Sequence, residues 1–157
     1  MDIKSAKHPE LNKQSSWSVL PFANNTETPM ANDRAASMAA AILQADGETV
    51  VGSLPNGART QELLGGDWKK RYEEALRSAH STGANYALSG SVDEWNYRAG
   101  INAKPVVSMT LWIVDLHSNK IIWRGVASAS GGEISQAGTS NLAQRIISRL
   151  IDRAIDR

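Results

Sequence analysis

The chain has no cysteine. Disulfides, thiolate metal sites and cysteine nucleophiles are thereby excluded, while the compartment stays open because many secreted domains also lack cysteine. It has little net charge: 17 Lys and Arg against 16 Asp and Glu leave +1, so no bulk field draws it to nucleic acid or to an anionic membrane. Any electrostatic function must come from local clustering. No apolar run approaches the ~18 residues of a membrane-spanning helix. The opening, MDIKSAKHPELNKQSS, has no apolar signal-peptide core and suits a cytosolic protein or the mature part of a secreted one. Phenylalanine is nearly absent, one Phe beside five Trp. That choice favours a side chain with an N–H to place, which is enriched at interfaces and at the membrane headgroup level.

What is present is the composition of an ordinary globular chain, 157 residues with 41% hydrophobic and 21% charged, and its length predicts one domain. Residues 1–15 carry no period and read as a flexible tether, leaving 16–157 as a single α/β domain. Trp17–Phe22 reads as a first strand, stopped by the turn Asn24-Asn25-Thr26. Asn32 or Asp33 is placed to cap a helix running to about Gln44, with Ala35, Met38, Ala39 and Ile42 on one face. After Asp46-Gly47, Glu48–Leu54 reads as a second strand and Pro55-Asn56-Gly57 as a turn. Asp67 caps a second helix, Trp68 to Ser81, stopped by Gly83.

The period then changes from helical to alternating. Asn85–Tyr97, Val106–Leu116 and Lys120–Ala129 read as strands, the last two joined by a compact turn at 117–120. In the middle strand Val107, Met109, Leu111 and Ile113 share one face, and Ser108, Thr110 and Trp112 the other. A helix from about Gln136 to Ile155 closes the chain, with Leu142, Ile146, Ile147, Leu150, Ile151 and Ile155 in one stripe. The order β-α-β-α-β-β-β-α predicts an α+β (mixed α/β) fold, with a single sheet of about five strands and three helices.

Catalytic chemistry finds no foothold in this pattern. His8, His80 and His117 lie in no motif, and a G-x-S-x-G elbow is absent. There is no H-x-x-x-H and no spaced run of Asp ligands for a metal. Gly65-Gly66 lacks the Lys-Ser/Thr of a phosphate loop. Trp68-Lys69-Lys70-Arg71-Tyr72 superficially resembles a nucleic-acid stripe, but a helix start fans those cations around its axis. No enzyme, cofactor, metal or nucleic-acid partner is therefore expected. Asp93-Glu94 is the one noteworthy acidic pair. Neighbours on a strand point to opposite faces, so the two act together only if a bulge intervenes. Among the tryptophans, Trp112 lies on the more polar face of its strand and Trp123 stands just past the hairpin beside Arg124. Both suit a membrane or subunit interface, with packing beneath the last helix as the alternative.

Three segments carry a resemblance over nearly the whole domain. They are the start Val19-Leu20-Pro21-Phe22 with its asparagines, the strand Tyr86-Ala87-Leu88-Ser89-Gly90-Ser91-Val92, and the hairpin Val114-Asp115-Leu116, turn, Ile121-Ile122-Trp123. In this order they resemble the PelC family of outer-membrane lipoproteins, in the fold group of CsgG, LpoB and the TolB amino-terminal domain. Short length and the absence of a pore-forming insertion argue against a CsgG-like channel, since a barrel needs long alternating hairpins. The resemblance implies a non-catalytic periplasmic subunit of Pel exopolysaccharide (biofilm) secretion, tied to the inner leaflet of the outer membrane by an amino-terminal lipid. It implies a homo-oligomeric ring of about a dozen copies, whose acidic surface guides a cationic polysaccharide to the porin-like exporter PelB. On that basis Asp93 is expected in the acidic lining with Glu94 second, and Trp123, with Trp112, at the membrane or interface. The lipidated cysteine of the family is absent from this sequence, and a net charge of +1 requires the acidic surface to be a local segregation. The alternative is an LpoB-like lipoprotein that binds and activates a peptidoglycan synthase.

Overall fold

The computed structural model describes residues 1–52, 67–98, 104–131 and 138–155. Its elements in chain order are β1 (Asp2–Ser5), β2 (Ser16–Val19), β3 (Ala23–Asn24), α1 (Ala31–Ala45), β4 (Thr49–Gly52), α2 (Trp68–Ser81), β5 (Tyr86–Arg98), β6 (Lys104–Asp115), β7 (Lys120–Ser130) and α3 (Thr139–Ala154). The class matches the sequence reading: one mixed sheet with three helices among the described residues. The sheet has seven strands instead of five, in the order β1-β7-β6-β5-β2-β4, with β3 pairing β5 off this path.

Both additional strands have a physical reason. The first predicted strand is split at Pro21, which has no N–H to give the ladder. β2 pairs β5 in parallel as far as Val19↔Leu88, and β3 resumes at Ala23↔Ser91. The second addition lies within the stretch read as tether, where Asp2–Ser5 pairs antiparallel with β7 at Asp2↔Ser128 through Ser5↔Gly125. An edge strand with only Ile3 against the core shows too little alternation to be recognised locally.

Successive strand residues divide between two apolar layers. Leu88, Val92, Met109, Leu111, Ile113 and Ala127 face α1 and α3, forming the main core with Trp17, Phe22, Trp123 and the stripe Leu142, Ile146, Ile147, Leu150 and Ile151. Ala87, Val114 and Leu116 face the other way and meet α2 through Tyr72, Ala75, Leu76 and Ala79. The alanine-rich face of α1 (Ala31, Ala35, Ala36, Ala39) is buried against this core. Gly90 lets the close-packed ladder form: a Cβ there would lie 2.4 Å from the Thr110 carbonyl oxygen and 3.1 Å from the Phe22 ring.

The caps are half as read. Asp67 accepts from the Lys69 N–H at 3.0 Å, as its spacing predicts. α1 instead starts after Met30 in the left-handed region (φ 66°), without a side-chain cap. Asn32 lies inside the helix and donates its amide to the Phe22 carbonyl at 3.0 Å. Asp33 stands 3.9 Å from the Arg71 guanidinium, both side chains largely buried, so α1 and α2 are tied ionically at their amino-terminal ends. The turn at 55–57, Gly65-Gly66 and the helix start near Gln136 lie outside the described residues.

Candidate functional site

The register of β5 against β6 shifts between Val92 and Glu94: Val92 pairs with Met109, and Glu94 with Ser108. Asp93 is the extra residue of a β-bulge, a device that re-aims side chains. Val92 and Trp95 are buried in the core, 0% and 2% exposed. Between them, Asp93 bonds to Thr110 on the opposite face, and Glu94 pairs with Ser108 on that same face and is exposed. Simple alternation would have parted the two carboxylates; the bulge sets them side by side.

Asp93 is held from three sides. Oδ1 accepts from Ser91 Oγ at 2.9 Å and from Asn25 Nδ2 at 3.2 Å, and Oδ2 accepts from Thr110 Oγ1 at 3.0 Å. All three donors are neutral, so they orient the carboxylate without cancelling its charge. The turn after β3 is built to supply Asn25. Asn24 Oδ1 accepts from the Thr26 N–H at 3.0 Å and Oγ1 at 2.7 Å, its amide reaches the Thr28 carbonyl at 2.9 Å, and the Thr28 hydroxyl donates to the Trp95 carbonyl beyond the bulge. The Asn25 N–H donates to the Val92 carbonyl at 2.9 Å. The asparagines read as a strand stop thus also clamp the acidic bulge.

This part of the sheet face has no helix over it among the described residues, because α2 packs at the other end, on Val114 and Leu116. Ser91, Ser108, Thr110, Val126 and Ser128 pave it, with Lys4 and Arg124 towards β1 and β7. The two adjacent carboxylates of the bulge lie at β5, while Asp2, Lys4 and Arg124 bring both signs of charge to the opposite side. Among the described residues no nucleophile and base are aligned on this face for a reaction.

Trp123 lies elsewhere than expected. It is 2% exposed, buried beneath α3 against Leu150, with its indole ring over Gly125 and its Nε1–H donating to the Ala6 carbonyl at 3.2 Å. A side chain so enclosed is not a membrane contact; of the two readings, core packing is the one found. Trp123 pairs with the core residue Ile113, in unbroken register with Leu111↔Gly125 and Met109↔Ala127, so alternation along β7 sets it on the face beneath α3. Trp112 is half-buried and engaged by α2, its Nε1–H bonded to Tyr72 Oη at 3.2 Å and its ring 6.5 Å from Trp68 in an edge-on contact. It serves helix docking, which its polar-face position did not disclose. Trp68 donates to the Pro21 carbonyl at 2.9 Å. His80 and His117 are exposed, His80 within 2.6 Å of Asn119 Oδ1. Among the described residues no group of three potential ligands surrounds a metal position, and no helix is long and apolar enough to cross a membrane.

No protein-family model and no curated protein matches the chain. Solved structures do. The PelC dodecamer from Paraburkholderia phytofirmans is similar at 27% identity over 98% of both chains, with a TM-score of 0.76. A PelC dodecamer from the same organism that carries one leucine-to-methionine substitution reaches 28% over 99% of both, with a TM-score of 0.80. Lipoprotein GNA1162 from Neisseria meningitidis, at 20% identity over 88% of this chain and 96% of that one, has a TM-score of 0.60 and shares the fold. So does the LpoB carboxy-terminal domain from Salmonella enterica, at 18% over 78% and 87%, with a TM-score of 0.51. The chain therefore resembles PelC from end to end, within a fold shared with LpoB-like lipoproteins.

Proposed function

We propose that this chain is a non-catalytic, periplasmic subunit of a Pel-type exopolysaccharide secretion apparatus. Copies of it form a ring beneath the outer membrane, anchored by an amino-terminal lipid, and the ring's acidic surface guides a cationic polysaccharide to the exporter PelB. The observation that carries the proposal is the likeness to a PelC dodecamer over 98% of both chains. The bulge supports the mechanism: Asp93 and Glu94 share one open face, held by neutral donors. One such pair attracts a cationic sugar weakly. Repeated around a ring, the pairs act multivalently and concentrate the polymer while each contact stays easy to release.

Two measurements test this reading. The first is solution mass by light scattering across a concentration series, expected to approach that of twelve copies, as in the PelC structures. A strict monomer that binds a peptidoglycan synthase would replace this reading with the activator one. The second is polymer export in cells carrying only Asp93→Asn or Glu94→Gln. Both variants keep size and hydrogen bonding while removing charge. Reduced export with an intact ring is expected; normal export in the double variant refutes the acidic-guide mechanism.

A further inference from the structure

We infer that the two edges of the sheet meet head to tail between copies of this chain, β1 with the adjoining flank of α3 in one protomer against β4 of the next. The inference rests on the ring reading above and adds the seam that builds it.

Among the described residues the terminal strands of the sheet are β1 and β4. Ala6 donates its N–H to the Arg124 carbonyl at 2.9 Å, and an antiparallel ladder alternates, so Asp2 and Lys4 bond towards β7. The N–H and C=O groups of Ile3 and Ser5 then point to the free edge. β4, Thr49-Val50-Val51-Gly52, carries none of the charges or prolines by which edge strands avoid pairing, and Val51 is 44% exposed. Met1, 52% exposed, stands beside the other edge.

Strand direction permits the union. β4 runs with β2 and β5, whereas β1 runs against β7, which shares the direction of β5. Laying one copy beside another therefore sets β4 antiparallel to the next β1, the geometry of strand addition. The flanks complement each other in charge. Exposed Arg149 and Arg153 outnumber Asp152 in a cleft along β1 that Ile3 also lines, while Glu10 and Glu48 outnumber Lys13 in the cleft at the start of β4. Unlike patches joined in this way give a heterologous contact, the kind that closes into rings. Because both edges are lateral, the face carrying Asp93 and Glu94 remains open in every copy.

The absence of cysteine makes the test direct. Lys4→Cys and Val51→Cys are introduced singly and together, and each protein is treated with a short bis-maleimide. Within one chain the two positions are five strand steps apart, roughly 24 Å at ~4.8 Å per step, beyond the reach of such a spacer. The double variant is expected to give a covalent ladder of dimers, trimers and larger species, and neither single variant a dimer. If light scattering of the untreated double variant gives a ring but no ladder forms, the seam is overturned while the ring stands. A monomeric mass overturns both. A dimer from either single variant indicates a like-to-like contact and overturns the head-to-tail arrangement.

Discussion

Replacing Trp123 by alanine separates a core residue from an interface residue by magnitude. A buried tryptophan removes about 150–250 Å² from water, which at about 25 cal/mol per Å² amounts to roughly 4–6 kcal/mol as an upper bound. Trp-to-Ala changes in cores cost about 3–5 kcal/mol once partial collapse of the cavity is included. Here collapse is limited, because the ring lies between the Gly125 backbone and Leu150, and it is 2% exposed. Its hydrogen bond to the Ala6 carbonyl adds about 1 kcal/mol and ties residue 6 to the core. Taking about 4 kcal/mol, and about 2–4 °C per kcal/mol for a chain of this size, Trp123→Ala lowers Tm by roughly 8–16 °C. Trp123→Phe, which keeps most of the volume, lowers it by less than half of that. Thermal and urea unfolding are measured at low concentration, with oligomeric state monitored so that the effect is assigned to the protomer. A Tm within about 3 °C of the parent, combined with lost vesicle binding, refutes the core assignment and restores the membrane one.

Three further outcomes follow from the same geometry. Gly90→Ala drives a Cβ to 2.4 Å from the Thr110 carbonyl oxygen and costs about 1–3 kcal/mol, read as a lower urea midpoint with an unchanged slope. Asp67→Ala removes the cap on α2 and costs about 1 kcal/mol, which Asp67→Ser largely restores, by the same assay. Asp93→Asn keeps an acceptor for Ser91 and Asn25 and a partner for Thr110, so unfolding changes by less than about 1 kcal/mol. A larger loss places the carboxylate in a structural role and disqualifies the variant as a test of charge.

Element types were legible because they are written in local periods. The stripe from Leu142 to Ile151 and the alternation from Val107 to Ile113 each require one face to be apolar, and both are buried as read. The Asp67 cap and the stop at Gly83, with φ +76°, are equally local. The candidate site was legible only in part. Asp93 and Glu94 were found because adjacent acids in a strand are unusual, but their joint face depends on a bulge. A bulge is decided by how β5 registers against β6, and the sequence of β5 alone does not contain that register.

Short-range choices are therefore written in the chain itself: which segments coil, which extend, which side of each is apolar, and where helices cap and stop. Which extended segments became neighbours was settled by long-range packing. Asp2–Ser5 is a strand because β7 offers it an edge. Trp123 is enclosed because it pairs with Ile113 on the sheet face that α3 covers. Trp112 is occupied because α2 docks on it through Tyr72. Each of these depends on a contact between residues far apart in the chain. Such a contact forms only once loop closure has been offset by burial, so no local window reports it.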